Sequence, residues 1–242
     1  MTRKLYWEEP YNRKFTGRVV SVEGPKVVLN KTLFYPRGGG VSGDTGLLGR
    51  VRVLEAVKEG PNIVHVLAST PDFLVHSEVE GEIDWDRRHK LMRMHTAGHL
   101  LSSLFYTKAN CLITGNQIEV DRSRMDFSLE SFDRQQIEGF VIEANDVIRK
   151  NALVKTYFLA RNEALKHPEM VKLAEATPPA EDPLRIVEIE GVDRQADGGL
   201  HVQHLNEIGR VQLLKLENKG KTNRRLYYDV LNSQILRVYH PL

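Results

Sequence analysis

The stretch EGEIDWDRRHK, residues 80–90, marks a change in the hydrophobic pattern of this 242-residue chain. Before it, apolar and polar residues alternate in short segments separated by glycines, which is typical of β-strands. After it, apolar residues recur every three or four positions, which is typical of a helix. The sequence therefore predicts an all-β N-terminal region over residues 1–82 and a second region over residues 83–242.

The two regions together predict an α+β protein. The N-terminal region has the length of a small β-barrel. The second region combines several strand patterns with two substantial helical patterns, of which the second begins at Ser131. We therefore predict a small N-terminal β-barrel followed by an α+β domain, whose helices pack on a mostly antiparallel sheet.

The composition excludes several classes of protein. No apolar run approaches the length of a membrane span, and residues 1–14 lack the apolar core of a secretory signal. The single cysteine, Cys111, excludes an internal disulfide and a cysteine zinc ribbon. These features predict a cytoplasmic protein with no membrane partner. Because the net charge is only +2, a contact with nucleic acid has to come from a local basic patch.

The helical pattern after residue 83 carries two histidines, His95 and His99, four positions apart. Side chains at this spacing project from the same face of a helix, so the two imidazoles could bind one metal ion. Thr96 stands where the zincin motif H-E-x-x-H has its general-base Glu, which argues against a peptidase. Taken alone, the pair slightly favours two partly exposed, hydrogen-bonded histidines at the edge of a core.

A second stretch, DRQADGGLHVQHLNEIG at residues 193–209, places Asp197 and His201 four positions apart around two glycines. Adjacent glycines let a backbone turn sharply or approach a ligand closely. Together with the helical pair, this carboxylate and imidazole would complete a tetrahedral set of three nitrogens and one oxygen, which zinc accepts. The alternative is a simple Asp-Gly turn. The offset of His204 from His201 is typical of an exposed neighbour.

A third unusual stretch, YPRGGGVSGDTG at residues 35–46, contains Gly38, Gly39 and Gly40 beside an arginine. Consecutive glycines suit a backbone that passes close to a ligand. The stretch lacks the G-K-[ST] ending of a P-loop, and no helical pattern follows it as in a dinucleotide-binding motif. A tight β-turn is the alternative interpretation.

A basic stretch, KLENKGKTNRRLYY at residues 215–228, lies near the C-terminus. Cations interleaved with aromatic residues fit contact with the phosphates and unstacked bases of an RNA end. The alternative is a solvated hairpin tip. The candidate RNA contacts are Lys219, Lys221, Arg224 and Arg225.

Five motifs together resemble the AlaX family in identity and order. These proteins are freestanding relatives of the editing domain of alanyl-tRNA synthetase, and the chain is most similar to their intermediate-size class. The resemblance extends roughly over residues 15–228. Its motifs are TLFYPRGGGVSGDTG (32–46), MHTAGHLL (94–101), RMDFSL (124–129), DGGLHVQHLNEIG (197–209) and NKGKTNRRLYY (218–228).

The resemblance implies a metal-dependent hydrolase with one zinc ion per chain. It implies that His95, His99 and His201 bind the metal, and that Asp197 is the fourth or an outer partner at the position of the family's usual cysteine. Leu200 likewise replaces the usual threonine. A carboxylate is a harder ligand than a thiolate and donates less charge, so the identity and affinity of the metal stay open.

The resemblance also implies the reaction, which is trans-editing. The family deacylates tRNA(Ala) that has been mischarged with serine, or with glycine in some members. It implies that Thr32 recognises the serine hydroxyl, that Gly38, Gly39 and Gly40 line the aminoacyl pocket, and that the basic tail holds the acceptor end of tRNA(Ala). No catalytic side chain is assigned, because the metal could activate water or only orient the substrate.

Two alternatives stay open. The first, which follows from the missing cysteine, is a non-catalytic tRNA-binding module with a degenerate metal site. The second is a deacylase for another aminoacyl-tRNA on the same scaffold. The sequence does not determine the oligomeric state.

Overall fold

The computed structural model describes residues 1–129, 133–167, 170 and 182–232. By proximity of Cα atoms, the chain divides into two compact units, Met1–Leu91 and Met92–Leu242. Both β-sheets and helices are present, which confirms a mixed α and β architecture.

The first unit is built mainly from short strands. The elements are β1 Arg3–Lys4, α1 Leu5–Glu8, β2 Lys14–Glu23, β3 Lys26–Leu29, β4 Lys31–Thr32, β5 Gly46–Leu48, β6 Val51–Glu59, β7 Asn62–Leu67 and β8 Glu78–Ile83. Six of the strands hydrogen-bond in a closed barrel, in the order β2-β3-β7-β6-β5-β8, and each of these pairings is antiparallel. The other two, β1 and β4, pair in parallel.

The core of this unit follows from the alternation of apolar and polar residues along the strands. Successive side chains of a strand point to opposite faces, so every second residue enters the core. Strand β8 shows this directly, since Val79 and Ile83 are buried while the glutamates between them are exposed. The fully buried apolar residues include Val19, Val27, Leu29, Leu33, Phe34, Leu48 and Val53.

Thr32 and His65 form a polar pair inside the first unit. His65 Nδ1 lies 3.0 Å from the Val27 carbonyl, which can only accept, so Nδ1 carries the proton and Nε2 is an acceptor. The Thr32 hydroxyl donates to this Nε2 over 2.8 Å and accepts from the Phe34 N–H over 3.0 Å. Burial lowers the pKa of His65 to about 4, which keeps the ring neutral at neutral pH.

The three glycines of the YPRGGG stretch form an exposed tight turn. Gly38 and Val41 exchange two backbone hydrogen bonds, of 3.1 and 2.9 Å. Between them, Gly39 and Gly40 have φ angles of 59° and 78°, a region that residues with a side chain rarely adopt. All three glycines are exposed, so the turn presents its backbone to solvent.

A buried ion pair closes the loop that carries this turn. Asp44 accepts the Tyr35 N–H over 2.6 Å and is bound by the guanidinium of Arg88, whose Nε lies 3.2 Å from each carboxylate oxygen. Arg88 also donates to the carbonyls of Leu33 and Pro10. The two charged side chains are only 1% and 3% exposed, so each depends on the other for compensation of its charge.

The long helix α2, Trp85–Ala109, begins at the predicted change of pattern. Strand β8 ends at Ile83, two residues earlier, and the division into compact units falls inside the helix. The carboxylate of Asp84 accepts the Arg87 N–H over 3.3 Å and so caps the first turn.

The second unit contains two antiparallel sheets in its described part. Its elements after helix α2 are β9 Ile113–Gln117, β10 Ser123–Ser128, α3 Arg134–Arg149, β11 Val154–Leu159, α4 Arg161–Ala164, β12 Leu184–Ile189, β13 Asp193–Ala196, a 3₁₀ turn Leu205–Ile208, β14 Arg210–Asn218 and β15 Asn223–Leu231. The strand orders of the two sheets are β14-β15-β10-β9 and β11-β12-β13. Helix α2 packs on the first sheet, where Phe105 stacks on Phe127 at 4.1 Å between ring centroids.

Helix α3 has the amphipathic pattern that the sequence predicts. The predicted start at Ser131 lies outside the described residues, and the described helix begins at Arg134 with Asp133 as its N-cap. The cap carboxylate accepts the Gln135 N–H over 2.9 Å. No helix in the described part of the chain has the length and apolar character needed to cross a bilayer.

Candidate metal centre

The second unit brings the four predicted metal ligands together. His95 and His99 lie on helix α2, and Asp197 and His201 lie in the loop after strand β13. One donor atom from each residue lies within 4.8 Å of all the others. The distances from the Nε2 atoms of His95, His99 and His201 to the nearest Asp197 carboxylate oxygen are 3.6, 3.8 and 3.3 Å.

Gly199 allows the loop to approach the helix this closely. A Cβ atom at this position would lie 2.3 Å from Cε1 and 2.6 Å from Nδ1 of His95, which no real side chain tolerates. Gly199 therefore has a packing role at the site, which a simple Asp-Gly turn would not require.

Arg185 of strand β12 holds the same loop from the other side. Its Nη1 donates to the carbonyls of Asp197 and Gly199 over 2.9 and 2.8 Å. Within the loop, Oδ1 of Asp197 accepts the Gly199 N–H over 2.5 Å. These bonds set the direction of the Asp197 carboxylate, whose side chain is 24% exposed.

Hydrogen bonds at Nδ1 orient two of the three imidazoles. His99 Nδ1 lies 3.2 Å from Oδ2 of Asp193, and His201 Nδ1 lies 3.1 Å from Oγ1 of Thr96. The Thr96 hydroxyl donates its proton to the Met92 carbonyl over 2.9 Å, so its oxygen accepts from His201. In the neutral form that binds a metal ion, both rings would therefore keep the proton on Nδ1 and offer the Nε2 lone pair to the ion.

The third imidazole, that of His95, is held by packing. Its Nδ1 is buried and has no hydrogen bond of normal geometry within the described residues. Its ring lies against Gly199, and it stacks on His201 with 4.3 Å between centroids. The protein thus brings three imidazoles together in a buried space, an arrangement that ligation of a cation explains.

The electrostatics of the cluster keep a carboxylate ionised among imidazoles. Burial lowers the pKa of His95 to about 4 and lowers that of His201 well below its usual value. Burial would also lower the pKa of His99, but hydrogen bonds to Asp193 and Asp197 outweigh it and raise the pKa to about 9. The neighbouring histidines, His95 first, overcome burial and hold the pKa of Asp197 well below its usual range.

Three imidazole nitrogens and one carboxylate oxygen form a donor set that fits a divalent metal ion. Such sets are acceptable to zinc and to harder first-row ions, since a carboxylate is a harder ligand than a thiolate. The cluster could therefore hold one metal ion. His204 is exposed and lies outside the cluster. Cys111 also lies outside it, buried after the end of helix α2, where its thiol donates a hydrogen bond to the Ala109 carbonyl.

Asp193, Thr96 and Arg185 are the site residues that the sequence motifs did not identify. Asp193 opens the stretch in which Asp197 was found, and its burial on strand β13 alternates with that of its neighbours. This period of two is the signal that points Asp193 inward, but its partner on helix α2 becomes visible only in the folded unit.

The basic stretch forms the hairpin of strands β14 and β15. Lys219 and Lys221 lie exposed in the connecting turn. Arg224 is partly buried, and its Nη1 donates to the carbonyls of Gly220 and Asn223 over 2.6 and 2.9 Å, so that it braces this turn. The turn therefore presents two lysines to solvent and a third cation at its base.

Arg225 and the two tyrosines have different environments. Arg225 forms a two-point ion pair with Asp126 of strand β10, with N–O distances of 2.6 and 2.8 Å. Tyr228 is fully buried, and its hydroxyl donates to the Met94 carbonyl over 2.9 Å. Tyr227 faces the opposite side of the sheet, with the Arg122 guanidinium 5.1 Å from its ring centroid.

Comparison with known proteins finds relatives over nearly the whole chain. The family model for the threonyl and alanyl tRNA synthetase second additional domain matches residues 184–227, which include Asp197 and His201. An alanyl-tRNA editing protein AlaX-M of Saccharolobus solfataricus is 47% identical over 237 residues, which cover 95% of this chain and 99% of the relative. Another AlaX-M, from Methanosarcina mazei, is 40% identical over 96% of this chain and 98% of its own.

A longer relative shares the same region. The alanine–tRNA ligase of Methanococcus maripaludis is 31% identical over 231 residues, which are 94% of this chain but 26% of the ligase. The family-model match and this relative thus show a domain of the class shared with aminoacyl-tRNA synthetases. Within that class, the chain belongs to the AlaX-M family of alanyl-tRNA editing proteins.

Proposed function

We propose that this protein is a trans-editing deacylase that hydrolyses Ser-tRNA(Ala), with Gly-tRNA(Ala) as a second substrate. The observation that carries the proposal is the convergence of His95, His99, His201 and Asp197 in a chain whose close relatives are named for alanyl-tRNA editing. The substrate is the ester between the amino acid and the terminal ribose of tRNA. We further propose a cytoplasmic location, where charged tRNA is used.

The reaction requires the protein mainly to orient the reacting groups and to stabilise the charge that develops. An aminoacyl ester is already activated, so hydrolysis needs a positioned water and stabilisation of the developing oxyanion. His95, His99, His201 and Asp197 would hold one zinc ion per chain. Such an ion, when bound, polarises a carbonyl oxygen or lowers the pKa of a water molecule. The partial exposure of Asp197 leaves this side of the cluster accessible to a substrate.

The deacylation assay that tests the proposal uses purified protein with its metal content measured. We expect hydrolysis of Ser-tRNA(Ala), slower hydrolysis of Gly-tRNA(Ala) and little hydrolysis of Ala-tRNA(Ala). Binding of tRNA with bound metal but no hydrolysis of any of the three esters would instead identify a non-catalytic tRNA-binding module. Hydrolysis of another aminoacyl-tRNA alone would identify a different deacylase.

Discrimination between serine and alanine has to use the serine hydroxyl, because alanine is the smaller of the two and cannot be excluded by size. A site built to pair with a substrate hydroxyl can disfavour the analogue that lacks it by up to about 10⁴–10⁵-fold. We propose Thr32 for this role. Its hydroxyl donates to His65 and accepts from the Phe34 N–H, so it offers one remaining acceptor lone pair. The exposed backbone of Gly38–Gly40 would line the aminoacyl pocket.

We expect Thr32→Val to lose activity on Ser-tRNA(Ala) and to narrow its preference over Ala-tRNA(Ala), with metal content unchanged. The control is Thr32→Ser, which keeps the hydroxyl and should keep the preference. Thermal unfolding of both variants should be recorded, because valine also leaves His65 and the Phe34 N–H without their partner. Thr32 is fully buried, whereas the Gly38–Gly40 turn is exposed. If Thr32→Val keeps the preference for Ser-tRNA(Ala), serine recognition would be assigned to that turn instead.

We propose that the β14–β15 turn contacts the acceptor end of tRNA(Ala). Lys219 and Lys221 are exposed there, and Arg224 lies at the base of the turn. Arg225 contributes to the local charge only as the partner of Asp126, since both of its bonded nitrogens are used by that carboxylate. The phosphate contacts of this surface therefore depend mainly on the two lysines.

We expect the double change Lys219→Ala and Lys221→Ala to weaken tRNA binding and to flatten its salt dependence. Each lost phosphate contact reduces the slope of log K against log salt by about 0.7–0.9, so the double variant should lose roughly 1.4–1.8. The measurement is a titration of labelled tRNA(Ala) at several salt concentrations. The control, Lys26→Ala with Lys58→Ala, removes the same charge from exposed sites in the first unit. If parent and double variant have equal salt slopes, the RNA contacts lie elsewhere on the protein. Arg122 and Arg124, beside Tyr227, would then be the next candidates.

A further inference from the structure

We propose that Asp193 is a positioning residue of the metal centre. Its carboxylate holds His99 with the proton on Nδ1 and supplies a second negative charge beside the ion. This inference rests on the proposed metal site and names a residue that lies outside the ligand set.

The first step is the geometry of the His99 ring. Its Nδ1 lies 3.2 Å from Oδ2 of Asp193, and its Nε2 lies 3.8 Å from Oδ2 of Asp197. A neutral imidazole carries one proton, and a hydrogen bond at one nitrogen determines which nitrogen is free to ligate. His99 would bind a metal ion in its neutral form, and donation from Nδ1 to Asp193 in that form leaves the Nε2 lone pair for the ion.

The second step is the rigidity of the carboxylate. The Asp193 side chain is fully buried. Gln195, two residues along strand β13, donates from Nε2 to Oδ2 of Asp193 over 2.9 Å and to Ser102 Oγ over 3.1 Å. Ser102 in turn donates to the carbonyl of His99 over 2.9 Å. A closed set of hydrogen bonds thus connects the strand with the helix that carries His99, and it leaves Asp193 little freedom.

The third step is the charge of the site. A divalent ion bound by three neutral imidazoles and one carboxylate keeps one net positive charge, which is costly in a buried environment. Asp193 would neutralise it across the His99 ring and would raise the basicity of that ligand. Thr96 has the same place behind His201 but is neutral. Asp193 and Thr96 therefore both orient a histidine ligand, but only Asp193 also supplies a negative charge.

Metal affinity of the full-length protein tests this inference without any tRNA. Zinc is titrated in competition with a chromophoric chelator, and cobalt is used as a spectroscopic probe of the ligand geometry. Asp193→Asn keeps an acceptor for His99 and removes the charge, whereas Asp193→Ala removes both. Because loss of an outer partner of a metal ligand typically lowers affinity by about 10–100-fold, we expect roughly 10-fold weaker zinc binding for the asparagine variant and up to about 100-fold for the alanine variant.

Two further variants make the result specific. Gln195→Met removes the donor that fixes Asp193 without touching a ligand, and it should weaken zinc binding in the same direction by less than Asp193→Ala. Asp121→Asn removes the same charge from an exposed carboxylate in the turn between strands β9 and β10, and it should leave zinc affinity unchanged. Thermal unfolding in excess chelator shows whether each variant is folded.

The outcomes are separable from those of the proposed function. Parental zinc affinity and an unchanged cobalt spectrum in Asp193→Ala would overturn the inference, and parental affinity in Asp193→Asn would overturn its charge component. A parent protein that binds zinc tightly but hydrolyses no aminoacyl-tRNA would reject the deacylase proposal. Weaker zinc binding by the Asp193 variants in that same protein would still support the inference.

Discussion

His201→Ala is expected to lose bound metal and Ser-tRNA(Ala) deacylation together. The change removes one of four donors and opens a coordination position in a site that has no spare ligand among the described residues within reach. His95→Ala and His99→Ala should behave alike. We expect the loss of kcat/KM in each variant to exceed the roughly 10–100-fold that removal of an outer partner causes. Metal content after dialysis and single-turnover deacylation measure the two effects on the same preparation.

The matched control for the ligand variants is His204→Ala. His204 lies three residues from His201, but it is exposed and outside the cluster, so its removal should change neither metal content nor rate. Gly199→Ala perturbs the same site without removing a ligand, because the added Cβ would collide with the His95 ring. Full metal content and full activity in all three ligand variants would show that the ligand assignment is wrong.

Arg88→Met is expected to lower the free energy of unfolding by about 3–5 kcal/mol, because it leaves the buried Asp44 carboxylate without its cation. Arg88 also donates to the carbonyls of Leu33 and Pro10, so the change removes support from the segment that follows Thr32. Urea denaturation, followed by far-UV circular dichroism and by tryptophan fluorescence, measures the loss.

A double variant separates the charge from the packing. Asp44→Leu together with Arg88→Met removes both charges, and replacement of a whole buried ion pair by apolar residues is far less costly than breaking it. It should therefore regain much of the stability lost in the single variant. Arg3→Ala breaks an exposed ion pair with Glu8 and serves as the surface control, with a much smaller loss. An Arg88→Met protein as stable as the parent would contradict the buried-pair interpretation.

Local spacing in the sequence pointed to the four candidate metal ligands, and the family resemblance favoured them over an ordinary helix edge and turn. His95 and His99 share a helix face because of the 3.6-residue period, and Asp197 and His201 are joined by a four-residue step around two glycines. The change of period after residue 82 likewise located the start of the long helix to within a few residues. In each case, the physical cause acts over a few residues of chain, so a pattern can reveal it.

The basic stretch at residues 215–228 shows the limit of such patterns. RRLYY suggests cations interleaved with aromatic side chains, but alternation along strand β15 sends Tyr228 into the core and Arg225 to the opposite face, where it pairs with Asp126. The two residues of that pair are 99 positions apart. Composition alone could not distinguish an arginine that binds a carboxylate in the sheet from a lysine that is exposed to solvent.

The sequence by itself indicated the mixed α and β fold class, the four candidate metal ligands and the family, because each depends on residue types at short, regular spacings. Only the tertiary structure shows which residues support the candidate ligands and the buried charges. Asp193 meets His99 across 94 residues, Thr96 meets His201 across 105, and Asp44 meets Arg88 across 44. Hydrogen bonds and buried charge pairs act over about 3 Å in space, so their partners are set by the packing of distant strands and helices, which no local pattern records.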